Sequence, residues 1–292
     1  MKFLVTGSNG FVASCVAEAA IQRGHEVFRL SRPWPDRLES RLDEIVPDVI
    51  FHGAGSASVA ESIRDPDADY QRSVMPWKMV LEAVRQTGQR PLILFPSSAA
   101  VYGNPEHSPV PEDSVLAPIS PYGQHKVECE RLAQKAREEG GLPVHVFRLF
   151  SVHGARQKRL LVRELYEKAQ SDTPVIQLAG TGEERRDYIS QGDLGKAVLD
   201  FAELPVWPTD HWRFNLASGK ETSVRELAEM ICALLNLEKS IQVSVQGRVG
   251  DPARWCANTE LFHEVCPAWR PKPLKESLEE TLSQWQREDD AR

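Results

Sequence analysis

The sequence predicts an α/β protein whose core is a doubly wound parallel sheet, and two observations predict it. The apolar, β-prone run KFLVT at 2–6 leads straight into Gly7-Ser8-Asn9-Gly10, then an alanine-rich helical stretch over 12–22, then a second strand-like run, EVFRL at 26–30. That is one strand–turn–helix–strand unit. The alternation then continues with VIFH at 49–52, a helix over 74–86, LILF at 92–95, a helix over 122–138 and VHVFRLF at 144–150. Short apolar strands separated by helices argue for a parallel sheet of the doubly wound kind.

Beyond Phe150 the segments shorten and basic residues cluster at 156–163. Gly180-Thr181-Gly182 marks a turn, and 193–201 and 223–236 read as helices, the second with Ser223 as its N-cap. A last helix over 274–288 follows Pro271-Lys272-Pro273. A chain of 292 residues has room for one large domain or two smaller ones. The expected division is 1–152 for a cofactor-binding domain and 153–292 for a smaller α/β substrate domain, with the chain returning to the first part at about 185–215.

Against 35 Lys and Arg stand 42 Asp and Glu, a net charge of −7. That balance argues against a nucleic-acid partner, whose recognition needs a basic surface. Cysteines 15, 129, 232, 256 and 266 have no paired spacing, which fits reduced thiols in a cytoplasmic protein. No apolar run approaches the ~18–20 residues of a membrane span, and no cleavable leader is expected. No His/Cys cluster has metal-ligand spacing.

The first glycine turn carries the cofactor reading. Gly7 and Gly10 lie between strand and helix, where a missing side chain lets a pyrophosphate approach the free N–H groups of a helix N-terminus. Ala13 supplies the small residue that close helix–strand packing needs. The expected contacts are Gly7, Ser8, Asn9, Gly10, Phe11 and Val12. An NAD site usually has a carboxylate after the second strand for the ribose hydroxyls. Here Ser31-Arg32 follows, and a hydroxyl plus a guanidinium suits a 2′-phosphate. NADP(H) is therefore favoured, with NAD(H) as the alternative.

Tyr122 and Lys126 are four apart and share one helix face. An ammonium beside a phenol favours the phenolate, and such a tyrosine can pass a proton to or from an alcohol or ketone oxygen. Ser97-Ser98 closes the LILF strand, at the carboxyl end where parallel sheets bind ligands.

Together these motifs resemble the extended short-chain dehydrogenase/reductases, also called the NAD-dependent epimerase/dehydratase family. The resemblance rests on TGSNGFVAS from Thr6, PDVIFHGAG from Pro47, SSAAVYG from Ser97, SPYGQHK from Ser120, FRLFSVHG from Phe147, RRDYISQGDL from Arg185 and the tail from Arg248. It implies a Rossmann-type sheet, sugar-nucleotide chemistry and a homodimer. It makes Ser98, Tyr122 and Lys126 the catalytic triad. Tyr122 would be the acid/base, Ser98 would orient the substrate oxygen, and Lys126 would hold the nicotinamide ribose. Gly53, Ala54, Gly55, Ser73, Pro96 and Phe150 would line the cofactor. Ala99 and Ser151 would face the sugar, and Arg186 and Arg248 the diphosphate.

The sequence also departs from the family. Ala99 and Ala100 stand where dehydratases carry Asp-Glu, which argues against 4,6-dehydration. The stretch 31–47 is too short for the usual extra strand and adenine-contacting Asp, and Ser73 and Ser151 replace Asn. The expected function is NADP(H)-dependent reduction of the C4 ketone of a nucleotide-diphosphate 4-keto sugar. A sugar-nucleotide 4-epimerase is the alternative, and a non-catalytic cofactor-bound regulator the third reading. His153, two residues after Ser151, would be a better candidate than His125 for a second acid/base if the enzyme also epimerised a carbon next to a ketone. An ordinary polar role is the favoured reading for both, and His107 is the third histidine weighed. The dimer would use the helices over 74–86 and 122–138, burying Val127, Leu132, Ala133 and Ala136.

Overall fold

The computed structural model describes residues 1–32, 34, 37–244 and 252–291. In chain order the elements are β1 (Lys2–Thr6), α1 (Phe11–Gln22), β2 (Glu26–Leu30), α2 (Leu38–Ile45), β3 (Val49–His52), α3 (Val59–Arg64), α4 (Pro66–Thr87), β4 (Leu92–Ser98), α5 (Pro121–Glu138), β5 (Val144–Leu149) and β6 (Ser151–His153). There follow α6 (Leu161–Gln170), β7 (Val175–Leu178), β8 (Arg185–Ser190), α7 (Gln191–Ala202), β9 (Arg213–Leu216), β10 (Glu221–Ser223), α8 (Val224–Leu234), β11 (Ser240–Val243), α9 (Glu260–Val265) and α10 (Leu274–Asp290).

Six strands form one sheet in the order β2-β1-β3-β4-β5-β9, every pair parallel. The order reverses at β1, so the crevice over the carboxyl ends of β1 and β3 is the switch point where such sheets bind nucleotides. Alternate side chains feed two cores. Phe3 and Val5 join α1, α7 and α9 on one face, while Leu4 joins α2, α4 and α5 on the other. Among the described residues no strand lies outside β2, so α2 leads directly to β3 and the sheet lacks the family's extra edge strand.

The remaining strands make two small sheets, β10-β8-β6 and β11-β7, packed with α6, α8 and α10 around a separate apolar cluster. Helix α4 begins eight residues earlier than the apolar pattern suggests. Asp65 caps it through the Ala68 N–H, and Pro66 pre-sets its first turn. Helix α6 runs through the basic cluster, with Leu165 and Tyr166 turned inward. Val127 and Ala133 are buried within the chain's own cores, and Leu132 and Ala136 pack against one of them. Two of these four positions thus lie inside the chain's own cores and two stay partly exposed. Among the described residues no helix is long and apolar enough to cross a membrane, and no His/Cys/Asp/Glu group is placed to hold a metal.

Three histidines are sealed in these cores. Burial pushes His52 down to about 3, His145 down to about 3 and His153 down to about 4. His153 lies against the Ser277 and Thr281 hydroxyls of α10, so it is a packing residue and not a second acid/base. Each of the three stays neutral in the folded chain and takes up a proton on unfolding below about pH 6.5. Their contribution is complete above that pH and is lost as pH falls toward the folded values. Each should remove about 1.4 kcal/mol of unfolding free energy between pH 7.5 and 5.5. Urea titrations should show His153→Gln losing one proton's worth of that slope, and an unchanged slope would contradict the assignment.

Candidate active site

The glycine turn after β1 is built as a cradle. Gly7 has φ +64, and a Cβ there would sit 2.6 Å from the Ala54 backbone. The turn thus lies directly on the Gly53-Ala54 backbone at the end of β3. A Cβ on Gly53 would meet the Ala13 methyl at 2.6 Å, so both positions must be small for α1 to approach the sheet. Gly10 caps α1 without a side chain, and no acidic residue occupies its first turn. The first N–H groups, at Phe11 and Val12, are open to an anion. Ser8 is buried and its Oγ meets Ser31 Oγ at 2.9 Å, while Asn9 is exposed. Ser73 Oγ accepts the Ser56 N–H at 3.0 Å, tying α4 to the loop that holds Gly55.

Ser98, Tyr122 and Lys126 converge on the end of β4. Ser98 is its last residue, and its Oγ accepts the Ala100 N–H at 3.2 Å, which leaves the hydroxyl proton free to donate. Ala99 and Ala100 turn inward there as a short 3₁₀ segment, with no carboxylate. Ser120 caps α5 through the Gly123 N–H, placing Tyr122 in the first turn. A Cβ on Gly123 would lie 2.6 Å from the Ala100 carbonyl oxygen, so this glycine lets α5 press against the Ser98 turn. Lys126 is buried. Its Nζ donates to the Pro96 carbonyl at 2.8 Å and sits 5.8 Å from the Tyr122 ring centre. Lys126 is thus aimed along the same helix face at the space beside the phenol.

Around this trio lie groups that the motifs did not reveal. Glu130, one turn past Lys126, accepts from Ser97 Oγ at 2.6 Å and forms a fully buried pair with Arg148 at 2.7 Å. Asp187, inside the RRDYI stretch, is buried and accepts from Ser218, Gly219 and Ala257. Burial pushes its carboxyl up to about 6 against those donors. It holds the turn after β9 over the carboxyl end of the sheet. His125 does face away from the trio, pairing with buried Asp69 at 2.6 Å, and His107 is exposed.

Phe150 and Trp255 meet edge to face at 6.5 Å, and Trp255 is 5.4 Å from the Arg186 guanidinium. Arg186 is buried and donates to the Arg185 carbonyl. Ser151 opens β6 opposite Tyr188. Arg248 lies outside the described residues.

The crevice fits a dinucleotide on its own terms. The cradle leaves no room for side chains at Gly7 and Gly53, and its helix end carries no competing cap. The buried Nε2 of His52, the last residue of β3, and the buried Nε1 of Trp34 have no hydrogen-bond partner among the described residues. A nucleotide turn beside a Ser–Tyr–Lys trio defines a nicotinamide-dependent enzyme on a Rossmann-type sheet.

Comparison with known proteins agrees. The NAD dependent epimerase/dehydratase family model matches residues 3–217, and the chain belongs to that family. UDP-glucose 4-epimerase of Mycolicibacterium smegmatis is 28% identical, over 97% of this chain and 97% of its own. GDP-6-deoxy-D-mannose reductase of Pseudomonas aeruginosa is 27% identical, over 98% and 97%. The crystal structure of UDP-glucose 4-epimerase with UDP-glucose from Thermotoga maritima superposes with a TM-score of 0.89 at 26% identity, covering 99% of each chain.

Proposed function

We propose that this enzyme inverts the C4 configuration of a nucleotide-diphosphate sugar, as a 4-epimerase. The carrying observation is a complete Ser98–Tyr122–Lys126 site in a chain similar over nearly its whole length to UDP-glucose 4-epimerases. A bound nicotinamide supplies the hydride acceptor and donor. Ser98 Oγ–H donates to the sugar's C4 oxygen, and Tyr122 Oη takes the C4 hydroxyl proton and later returns it. Lys126 holds positive charge beside the phenol and is positioned by the Pro96 carbonyl.

A second reading, reduction of a 4-keto sugar by NADPH, is favoured by the Ser31-Arg32 end of β2 and by the reductase relative. Both reactions move hydride and proton at C4, so the trio serves either. Incubation with UDP-glucose, and separately with a nucleotide 4-keto sugar and NADPH, distinguishes them. Appearance of UDP-galactose without net change in absorbance at the reduced-nicotinamide band supports the epimerase. Consumption of NADPH by the keto sugar, with no interconversion of UDP-sugars, replaces it with the reductase.

A further inference from the structure

Helix α5 starts with an amide that its own cap does not serve. Pro121 has no N–H, the Gly123 N–H goes to Ser120 Oγ at 3.2 Å, and the Gln124 N–H begins the helical ladder on the Ser120 carbonyl at 3.0 Å. The Tyr122 N–H lies between them. Its acceptor is Ser62 Oγ at 3.1 Å, supplied by α3 from 60 residues away. Ser62 is fully buried, and its hydroxyl donates to the Val59 carbonyl at 2.7 Å, which leaves the oxygen free to accept from Tyr122.

Helix α3 is itself held at both ends. Ser58 Oγ accepts the Glu61 N–H at 3.1 Å, and the Asp65 N–H donates to the Glu61 carbonyl at 3.0 Å, where Asp65 also caps α4. The loop before α3 carries the Gly53-Ala54 backbone that meets the glycine turn. A six-residue helix therefore joins the floor of the crevice to the backbone of Tyr122.

The same helix has a third tie. Glu61, next to Ser62, pairs with Arg159 at 2.8 Å. Arg159 belongs to the basic loop between β6 and α6, and Arg156 in that loop pairs with Glu18 of α1. Helix α1 packs on one face of the six-stranded sheet, and α5, against which α3 lies, packs on the other. The loop is thus moored to elements on opposite faces, so it passes over an end of the sheet. That end is the one that holds the crevice, because α3 follows the carboxyl end of β3. Leu160, at the loop's exit, has φ +78 and a half-exposed side chain, a conformation that leucine keeps only under restraint.

We propose that Ser62 is a positioning residue for Tyr122, and that the Arg159–Glu61 pair passes the state of the 156–160 loop through α3 to that tyrosine. Ordering of the loop by a bound nucleotide sugar thereby seats the phenol as well. The proposal rests on Tyr122 as the proton carrier, under either C4 reaction.

Hydrogen exchange at the Tyr122 amide and steady-state turnover, both on the full chain, test it together. Ser62→Ala should speed exchange at Tyr122 by about tenfold and leave the rest of α5 unchanged. It should lower kcat by about tenfold, while KM and dinucleotide affinity stay within about twofold. Ser62→Thr keeps the hydroxyl and should recover most of both losses. Arg159→Gln should lower kcat by about two- to fivefold, the weight of an exposed ion pair, and the reversed pair Glu61→Arg/Arg159→Glu should restore it. Wild-type kcat in Ser62→Ala, or faster exchange along the whole of α5, overturns the positioning role. Wild-type kcat in Arg159→Gln, or no recovery in the reversed pair, overturns the tie to the loop. Full activity in Tyr122→Phe removes the proton carrier and the proposal with it, whereas an inactive Tyr122→Phe beside a fully active Ser62→Ala removes the proposal alone.

Discussion

Tyr122→Phe should lower turnover by roughly 10³-fold, within the 10²–10⁴ that a positioned acid/base contributes, while cofactor affinity changes by less than about twofold. The substitution removes one oxygen. That oxygen makes no hydrogen bond within the chain among the described residues, so nothing in the fold depends on it. The backbone of Tyr122 is held separately, by its N–H donating to Ser62 Oγ at 3.1 Å. The α5 cap at Ser120, the Gly123 contact with Ala100 and the Lys126 bond to Pro96 are all unaffected. Thermal stability should therefore match the wild type. The measurement is steady-state turnover on the substrate identified above, alongside a dinucleotide titration. Full activity in the Phe variant would remove Tyr122 as proton carrier. An inactive wild-type chain that still binds dinucleotide would point instead to a regulator that keeps the fold without the chemistry.

What was legible in the sequence was what is local. The turn after β1 shows because Gly7 needs a positive φ and Ala13 must be small, and both demands are met within a few residues. Tyr122 and Lys126 show because helical spacing alone puts them on one face. Ser97 and Ser98 show because they follow the apolar run LILF at the carboxyl end of a strand, and the resemblance to the family singles out Ser98.

The partners that fix these groups were hidden by distance along the chain. Glu130 reads as one more charge on a polar helix until Arg148 and Ser97 are brought to it by the β4–β5 pairing. Asp187 was inside a recognised stretch, but its partners at 218, 219 and 257 come from other elements. Arg32 stands out as a cation after β2, yet its bond to the Arg72 carbonyl depends on a proline, Pro76, four residues past Arg72 on a different helix. The signal for that was present: a proline inside a helix always orphans a carbonyl, and an unpaired arginine is a natural donor to it. The apolar positions of α5 are ambiguous in the same way. Apolar spacing on α5 marks burial, and burial against the chain's own sheet satisfies it as well as a second subunit does.

Arg148→Met should cost roughly 3–5 kcal/mol of folding stability, the cost of leaving a buried charge without its partner. Arg148 is 0% exposed and Glu130 3%. The guanidinium donates to both oxygens of Glu130, through Nε at 3.0 Å and Nη2 at 2.7 Å, and its Nη1 serves Tyr102 Oη and the Glu112 carbonyl. Tyr102 Oη in turn donates to Asn215 Oδ1 on β9 at 2.6 Å. Hydrogen bonds and charge from Glu130 hold the guanidinium's pKa above its ordinary value despite burial. Methionine fills much of the volume but leaves the Glu130 carboxylate with Ser97 as its one remaining donor among the described residues. Changing the glutamate as well, in Arg148→Met/Glu130→Leu, removes that stranded charge and should restore much of the loss, because an apolar replacement of a whole buried pair is often close to neutral. Urea unfolding of the two variants separates the outcomes. A double variant as unstable as the single would mean that the cost lies in Tyr102 and Glu112, not in the stranded carboxylate. The network also bears on the chemistry, since Ser97 precedes Ser98 and Glu130 follows Lys126 by one turn. A pair that fixes β4, α5 and β5 at those two positions fixes the distance between the hydroxyl and the ammonium that flank Tyr122.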